Sequence, residues 1–388
     1  INFKVSESKK IFVEKINILG NYVTNENVVR NSILTDEGDP LNQLLLKKSI
    51  NNLKAKNIFE TVQTEILDGS DDSNKILNIK VVEKPTGEIS AGAGTGTSGS
   101  QLSFGLSENN YVGQGKKVKA TATISDNSLR GLFSITDPNF KNSDKALISS
   151  FENSQEDLMS KYGYKTNKTG FSFGTSFEQY RNVYFSPQIS TFYESLTTST
   201  KASKNKKKQE GDYFDTEFSY SLSLNRLNQN FQPTDGFKST FYQSLPLYAD
   251  DKSITNSYEF SKYKKLGNDT VLSFSLLAEA VNSIDDDVRI SKRIFIPARK
   301  LRGFVAGKVG PKEGADYIGG NYGTAANVAA TLPNLLADLQ NVDFSIFIDS
   351  ANIFGVDYDS SLDSNKIRSS TGLAIDWFTP IGPLSFSF

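Results

Sequence analysis

From Pro85 onward the chain repeats one pattern: segments of roughly ten residues alternate apolar and small polar side chains, with turn residues between them. Phe171, Phe173 and Phe177 oppose Ser172, Gly174 and Ser176, and Phe218, Tyr220, Leu222 and Leu224 oppose Ser219, Ser221 and Ser223. Leu272, Phe274, Leu276, Ala278 and Ala280 share one face, with Ser273, Ser275 and Glu279 on the other. Val342, Phe344, Ile346 and Ile348 oppose Asp343, Ser345 and Asp349, and Leu384, Phe386 and Phe388 oppose Ser385 and Ser387. A period of two sends successive side chains to opposite faces of a strand. Two architectures satisfy it: a soluble sandwich that buries apolar faces against each other, or an outer-membrane barrel that turns them to lipid around a polar lumen. The small or acidic character of the second face, kept over many segments, favours the barrel. Counting turns from Pro85 gives about fifteen strands, too many for one open sheet without closure. The expected fold is β-rich, a transmembrane antiparallel β-barrel over residues 87–388.

Composition narrows the chemistry. The 388 residues contain no His and no Cys, which removes imidazole bases, Ser-His-Asp triads, thiolates, zinc ribbons and disulfides. With 43 basic and 44 acidic side chains the net charge is −1, far from the basic face that nucleic acid requires. No apolar run approaches the ~20 residues of a spanning helix. Neither an enzyme nor a cofactor protein is expected. Position 1 is Ile and no signal-type segment follows it, so the chain reads as a fragment.

Only the first part has helical periods. Residues 1–8 read as a short strand, the tail of a preceding domain. In residues 9–84, Ile11, Val13, Ile16 and Ile18 make a strand that stops at Gly20-Asn21. Thr24 or Asn25 can cap a first helix bearing Val28, Val29 and Ile33. Asp39-Pro40 reads as the cap and first residue of a second helix with Leu46, Ile50 and Leu53 on one stripe. Strands at 59–67 and 75–83 complete a β-α-α-β-β module of the α+β class.

Beyond it, short connections (Asn182, 232–236, 267–269, 380–382) alternate with longer polar ones at 155–168, 200–212 and 285–319. Barrels keep short turns on the periplasmic side and long loops outside. The longest loop carries Leu301-Arg302-Gly303-Phe304 among Arg289, Lys292, Arg293, Arg299 and Lys300, which alone reads as a solvated basic loop. Lys201, Lys204, Lys206, Lys207 and Lys208 form a second charge run, solvated or set against lipopolysaccharide phosphates. Gly92, Gly94, Gly96 and Gly99 leave the first strand with little side-chain packing and a weak register. That suits a bend at the barrel mouth, or an edge built to unpair and template another strand. Parity turns Asp349 inward, opposite Ile346 and Ile348.

At Leu301–Phe304 the sequence resembles the outer-membrane protein assembly factors of the BamA family, whose sixth extracellular loop carries a (V/L)RG(F/Y) signature between the eleventh and twelfth strands. Val309-Gly310-Pro311-Lys312, Gly319-Gly320-Asn321, Pro233-Thr234-Asp235-Gly236 and Thr136-Asp137-Pro138-Asn139-Phe140 extend the resemblance, as does the run from Trp377 to Leu384. Gly20-Asn21, Glu37-Gly38-Asp39 and Ile58-Phe59-Glu60-Thr61-Val62 make the first module similar to a POTRA domain. The resemblance implies a 16-stranded barrel, of which about 15 strands are present and the closing one follows Phe388. It places the barrel in the outer membrane of a Gram-negative bacterium and the POTRA domain in the periplasm. It implies that the loop folds into the lumen, with Arg302 on a wall acid; Asp349 is the partner that parity supplies, the alternative being that it is merely one of several lumen acids alongside Asp343 and Asp376. It makes Glu37 a candidate lipoprotein contact, where a merely solvated acid is the alternative. The implied function is insertion of β-barrel proteins through a lateral gate, with unfolded outer-membrane clients, periplasmic lipoproteins, lipid and possible lipopolysaccharide as partners. A two-partner-secretion or translocation-and-assembly-module transporter of the same superfamily is the alternative; a passive porin needs neither the module nor the loop.

Overall fold

The computed structural model describes residues 10–96, 99–143, 145–267, 270–285, 287–314, 316–333, 341–379 and 382–388. The expected strand at 1–8 lies outside them, as do 268–269 and 380–381 in two of the short turns. The chain falls into two compact units. One holds residues up to Ile89 with Gly105–Ala120 and Ser134–Ile148; the other holds Ser90–Phe104, Thr121–Phe133 and Ser149–Phe388.

The N-terminal module runs β1 (Phe12–Leu19), α1 (Glu26–Arg30), α2 (Gln43–Ala55), β2 (Phe59–Asp68) and β3 (Asn74–Glu83), with sheet order β1-β3-β2. β1 is parallel to β3 and β2 antiparallel to it. A register shift between Val13 and Lys15 breaks the simple alternation, so that Val13 and Ile16, three apart, both face the core. They pack with Val28, Val29, Leu46, Leu53, Phe59, Leu77 and Ile79. Two local expectations are corrected. The cap of α2 is Asn42, whose side chain accepts from the N–H groups of Leu44 and Leu45, and not Asp39, which instead accepts from Asp36 N–H within a turn. Asn25 sits at the cap position of α1 without a side-chain cap bond.

The second sheet is a fifteen-stranded antiparallel meander, built from β4 (Gly87–Gly96), β5 (Gly99–Tyr111), β6 (Lys116–Ser125), β7 (Ser128–Asp137), β8 (Ala146–Leu158), β9 (Tyr164–Tyr180), β10 (Val183–Thr198), β11 (Gly211–Asn225), β12 (Gly236–Ala249), β13 (Ser253–Leu266) and β14 (Thr270–Ser283). A two-stranded ribbon, β15 (Lys312–Glu313) and β16 (Asp316–Tyr317), interrupts the sequence before β17 (Tyr322–Pro333), β18 (Val342–Phe354), β19 (Arg368–Thr379) and β20 (Gly382–Ser387). β14 pairs directly with β17, so the whole segment between them is a loop set on an otherwise regular ladder. One face exposes Phe171, Phe173, Ile189, Leu222, Ile346 and Ile348; on the other Ser190, Glu194, Ser219, Ser345 and Asp349 are buried. No helix among the described residues is long and apolar enough to cross a membrane, whereas many strands exceed the ~9–11 residues a spanning strand needs.

The long loop expected at 155–168 is mostly strand. β8 and β9 continue through it and leave only the one-turn α3 (Met159–Tyr162) and Gly163 between them. Polar residues continue the ladder because its inner face is polar: Thr166 is buried, and the Asn153 amide donates to Thr169. The second polar loop contains α4 (Lys204–Lys208), capped by Ser203.

Candidate functional site

The loop between β14 and β17 begins with a one-turn helix at Ile290–Lys292, held by buried charges. Arg289 lies against Asp215 of β11 and 3.1 Å from Glu194 of β10, with its guanidinium 4.1 Å from the Tyr213 ring centroid. Lys292 stands 3.0 Å from Asp215 and 3.4 Å from Glu217. Arg293 pairs with Asp357, just beyond β18. Burial works to raise the Asp357 carboxyl, but the Val288 N–H, the Arg293 charge and the Asn321 amide overcome it and hold the group below its ordinary value. These cations do not form the solvated basic loop that their local sequence suggests. Their partners lie 64 to 95 residues away in sequence, and Asp215 and Glu217 share the inner parity of Ser219 and Ser221 on β11.

The loop then reaches Leu301–Phe304. Leu301 is buried with Leu277, Ile296, Val309, Ala325, Ala351 and Ile353, and Phe304 packs against that cluster. Gly303 has φ +79°, which a side chain rarely tolerates; the turn it makes follows directly on Arg302. Arg302 then meets Asp349 with both backbone and side chain: its Nε and Nη2 each lie 2.7 Å from a carboxylate oxygen, and its N–H donates at 3.0 Å. Asp349 is 0% exposed, and Asn327, its direct cross-strand partner on β17, donates a fourth bond at 2.9 Å. The same Asn327 amide donates to the carbonyl of Lys300 at 2.8 Å. The guanidinium also stacks 3.5 Å from the ring centroid of Phe347, two residues before Asp349 on the same face of β18. A bidentate, stacked arginine of this kind is not replaceable by lysine.

The other wall acids lie elsewhere. Asp343 accepts from the Gln232 amide at 3.2 Å, and Asp376 from Ser385. Above the clasp, Tyr162, Tyr164, Leu196, Ile290, Ile318 and Val356 form a second apolar cluster, with Tyr162 stacked on Phe295. Lys206 belongs to this roof. Although it sits in a lysine run, it is buried, donating to the Tyr162 carbonyl and to Asp316 at 2.9 Å each. Burial lowers its ammonium, and the Asp316 bond opposes that. Neither solvent nor lipopolysaccharide phosphate is its partner here. In the module, Glu37 accepts from Ile16 N–H at 2.9 Å and lies 3.7 Å from Arg30, tying its turn to β1. Gly92, Gly94 and Gly96 lie in β4 and Gly99 opens β5. Among the described residues no group of three Asp or Glu is arranged to hold a metal ion.

A meander of this length, apolar on one face and carrying a charged loop on the other, defines a membrane β-barrel with an α+β module before it. Residues 110–388 match the Omp85 superfamily domain, and residues 11–84 match the surface antigen variable number repeat, a POTRA domain. The chain belongs to the Omp85 superfamily. It is similar to outer membrane protein assembly factor BamA from Nitratidesulfovibrio vulgaris (24% identity over 100% of this chain and 49% of that one) and from Neisseria meningitidis (25%, 99% and 54%). It thus spans about half the length of the curated relatives it matches. Among solved structures, BamA from Haemophilus ducreyi lacking POTRA domains 1–3 superposes with TM-score 0.85 at 24% identity, covering 98% of this chain and 81% of that one. CdiB from Acinetobacter baumannii gives 0.61 at 13% identity, covering 96% and 68%. The barrel is an outer-membrane barrel, and its POTRA domain lies in the periplasm.

Proposed function

We propose that this chain is the membrane core of a factor that folds and inserts other β-barrel proteins into the outer membrane, using a lateral gate at β4. The observation that carries the reading is the contrast within one sheet. β4, a terminal strand of the order among the described residues, has glycine at positions 92, 94 and 96. Few cross-strand side-chain pairs oppose its separation. An unpaired edge in lipid leaves N–H and C=O groups worth several kcal/mol each, so an incoming client strand is driven to pair with it, and hydrogen bonds are exchanged rather than lost. The clasp at Arg302 keeps the loop lodged inside while this happens. Similarity over the whole chain to assembly factors supports the reading; the secretion-transporter alternative has the weaker structural likeness. The Glu37 turn is proposed as a contact for periplasmic lipoproteins.

These 388 residues contain no cysteine, so within them a lock meets no competing thiol. In the full-length protein, Gly94→Cys is joined by a disulfide to a cysteine at the facing position of the barrel's closing strand, on the edge of β4 opposite β5. Insertion of an unfolded outer-membrane protein into proteoliposomes is followed by its acquired protease resistance. The oxidised protein is expected to stall and the reduced protein to recover. Equal rates in both states would reject the lateral gate.

A further inference from the structure

Two exposed Tyr-Val pairs lie side by side in the first structural unit. Tyr22-Val23 lies in the turn between β1 and α1, and Tyr111-Val112 at the end of β5. The two turns are fastened together. Asn25 N–H donates to the Gly113 carbonyl at 2.8 Å. The buried Asn110 amide donates to the Thr24 hydroxyl at 2.8 Å, and its carbonyl oxygen accepts from Gly115 N–H at 2.7 Å. Val23 and Thr24 N–H groups both donate to the Glu83 carboxylate. The backbones touch: a Cβ added at Gly113 would lie 2.0 Å from the Val23 carbonyl oxygen.

This rigid support presents apolar side chains to the outside. Tyr22 is 94% exposed, Val23 70%, Val112 68% and Tyr111 50%. Val23, Tyr111 and Val112 line one shallow, mostly apolar groove with Pro85 and Lys84. Val112 has φ +47°, an unfavourable left-handed conformation for a β-branched residue, and gains no burial in return. That φ, with +74° at Gly113 and Gln114 N–H donating to the Tyr111 carbonyl at 3.1 Å, is what the two-residue hairpin turn between β5 and β6 requires, and a valine at a position that favours Asn or Gly keeps an apolar side chain at its tip.

We propose that these four residues form a membrane foot, seated at the boundary between headgroups and acyl chains of the periplasmic leaflet, so that the occupant is phospholipid. Tyr111 is the last residue of a strand in the membrane wall, and Leu106 on that strand and Ile89 on β4 are exposed apolar residues of the same unit. At ~3.3 Å per residue and a ~40° tilt, the five residues from Leu106 to Tyr111 carry the strand about 13 Å along the membrane normal, to its end at the periplasmic membrane boundary. Tyrosine is enriched at that depth because its ring is apolar and its hydroxyl wet. Lys84 lines the same groove beside Glu83 and Glu108, its ammonium donating to the Asn57 amide oxygen at 2.6 Å. Bound lipid would fix the β1–α1 turn of the POTRA domain to the bilayer surface. This inference rests on the outer-membrane placement and not on the assembly reading.

The test uses the full chain in phosphatidylethanolamine/phosphatidylglycerol nanodiscs, with one nitroxide at Val23→Cys, Val112→Cys, Leu44→Cys or Ile346→Cys. Leu44 is an exposed residue of α2 and Ile346 an exposed residue of the wall, so they calibrate water and lipid. Accessibility to a water-soluble nickel complex is expected to be about threefold lower at 23 and 112 than at 44, with oxygen accessibility between those at 44 and 346. In a Trp377→Phe background, Val112→Trp should be quenched by brominated acyl chains. Labels at 23 and 112 as nickel-accessible as that at 44, together with an unquenched tryptophan, would overturn the proposal.

Discussion

Replacing Arg302 by Ala and Asp349 by Asn together should weaken the barrel by less than the sum of the two single losses. Asp349 is fully buried and accepts four bonds, of which the arginine side chain supplies two at 2.7 Å. Arg302→Ala removes both bonds and the stacking on Phe347, and leaves a buried carboxylate with only a backbone N–H and the Asn327 amide. Orphaning a buried charge costs about 3–5 kcal/mol. Asp349→Asn keeps the shape and removes the charge, for about 1.5–3 kcal/mol. The double variant has no charge left to orphan, so it should fall short of the sum of the single losses by about 2 kcal/mol. Arg302→Lys should lie between wild type and Arg302→Ala, since one ammonium cannot reproduce the fork. Unfolding of the barrel in detergent at raised temperature, read as the loss of its compact gel mobility, gives a rate for each variant. A 2 kcal/mol coupling is ~30-fold in that rate if the clasp is open in the transition state. Losses that add within ~0.5 kcal/mol would refute the argument, because residues in contact must couple and independent ones need not.

Two further outcomes concern the far end of the loop. Arg289→Gln leaves Glu194 and Asp215 facing each other with only Lys292 near, and should lower stability by about 3–5 kcal/mol, whereas the exposed Arg299→Gln should stay within ~0.5 kcal/mol in the same unfolding assay. The lowered carboxyl of Asp357 makes its contribution an acid-sensitive one: it is fully present above the ordinary carboxylate value and is lost only as pH falls through the lower folded value. Limited proteolysis of the loop in nanodiscs should therefore stay constant down to the ordinary carboxylate value and rise progressively below it, as pH falls toward the lower folded value, and Asp357→Asn should abolish that rise.

What the sequence made legible was whatever a period of two can encode. Parity alone turns Asp349 inward, and the same rule extended from Ser219 through Glu217 to Asp215 would have found the second set of wall acids. Phe347 was hidden because it stands in the run Phe344-Ser345-Ile346-Phe347-Ile348, where an inward aromatic looks like one more lipid-facing residue. The charge runs were misread for a different reason. Local sequence sees only that Arg289, Arg293 and Lys206 are cations among cations, whereas their burial is decided by acids more than 60 residues away. In the POTRA domain the register shift at Val13/Lys15 and the cap at Asn42 are backbone choices that hydrophobic spacing does not specify.

The positions of the clasps also say where the barrel can yield. Ion pairs from the loop fall on β10, β11, β13 and β18: Arg289 and Lys292 on the first two, Lys300 to Glu259 at 3.7 Å on the third, Arg302 on the last. One segment thus braces the inner face between β10 and β18, strands six places apart in the sheet order, while the glycine-rich β4 lies at one end of that order. A sheet stiffened in one sector and thinly packed at its edge should breathe at the edge. Nitroxide pairs test this in a chain that needs no cysteine removed: Ile189→Cys with Ile346→Cys spans the braced sector, and Leu102→Cys with Ile346→Cys reaches to β5. The distance distribution should be narrow for the first pair and broad for the second. In Arg302→Ala the first should stay narrow, since Arg289 and Lys292 still hold β10 and β11 and Lys300 still reaches β13. If the braced pair is as broad as the other in the unmodified loop, the clasps do not stiffen the wall, and compliance at β4 needs another cause.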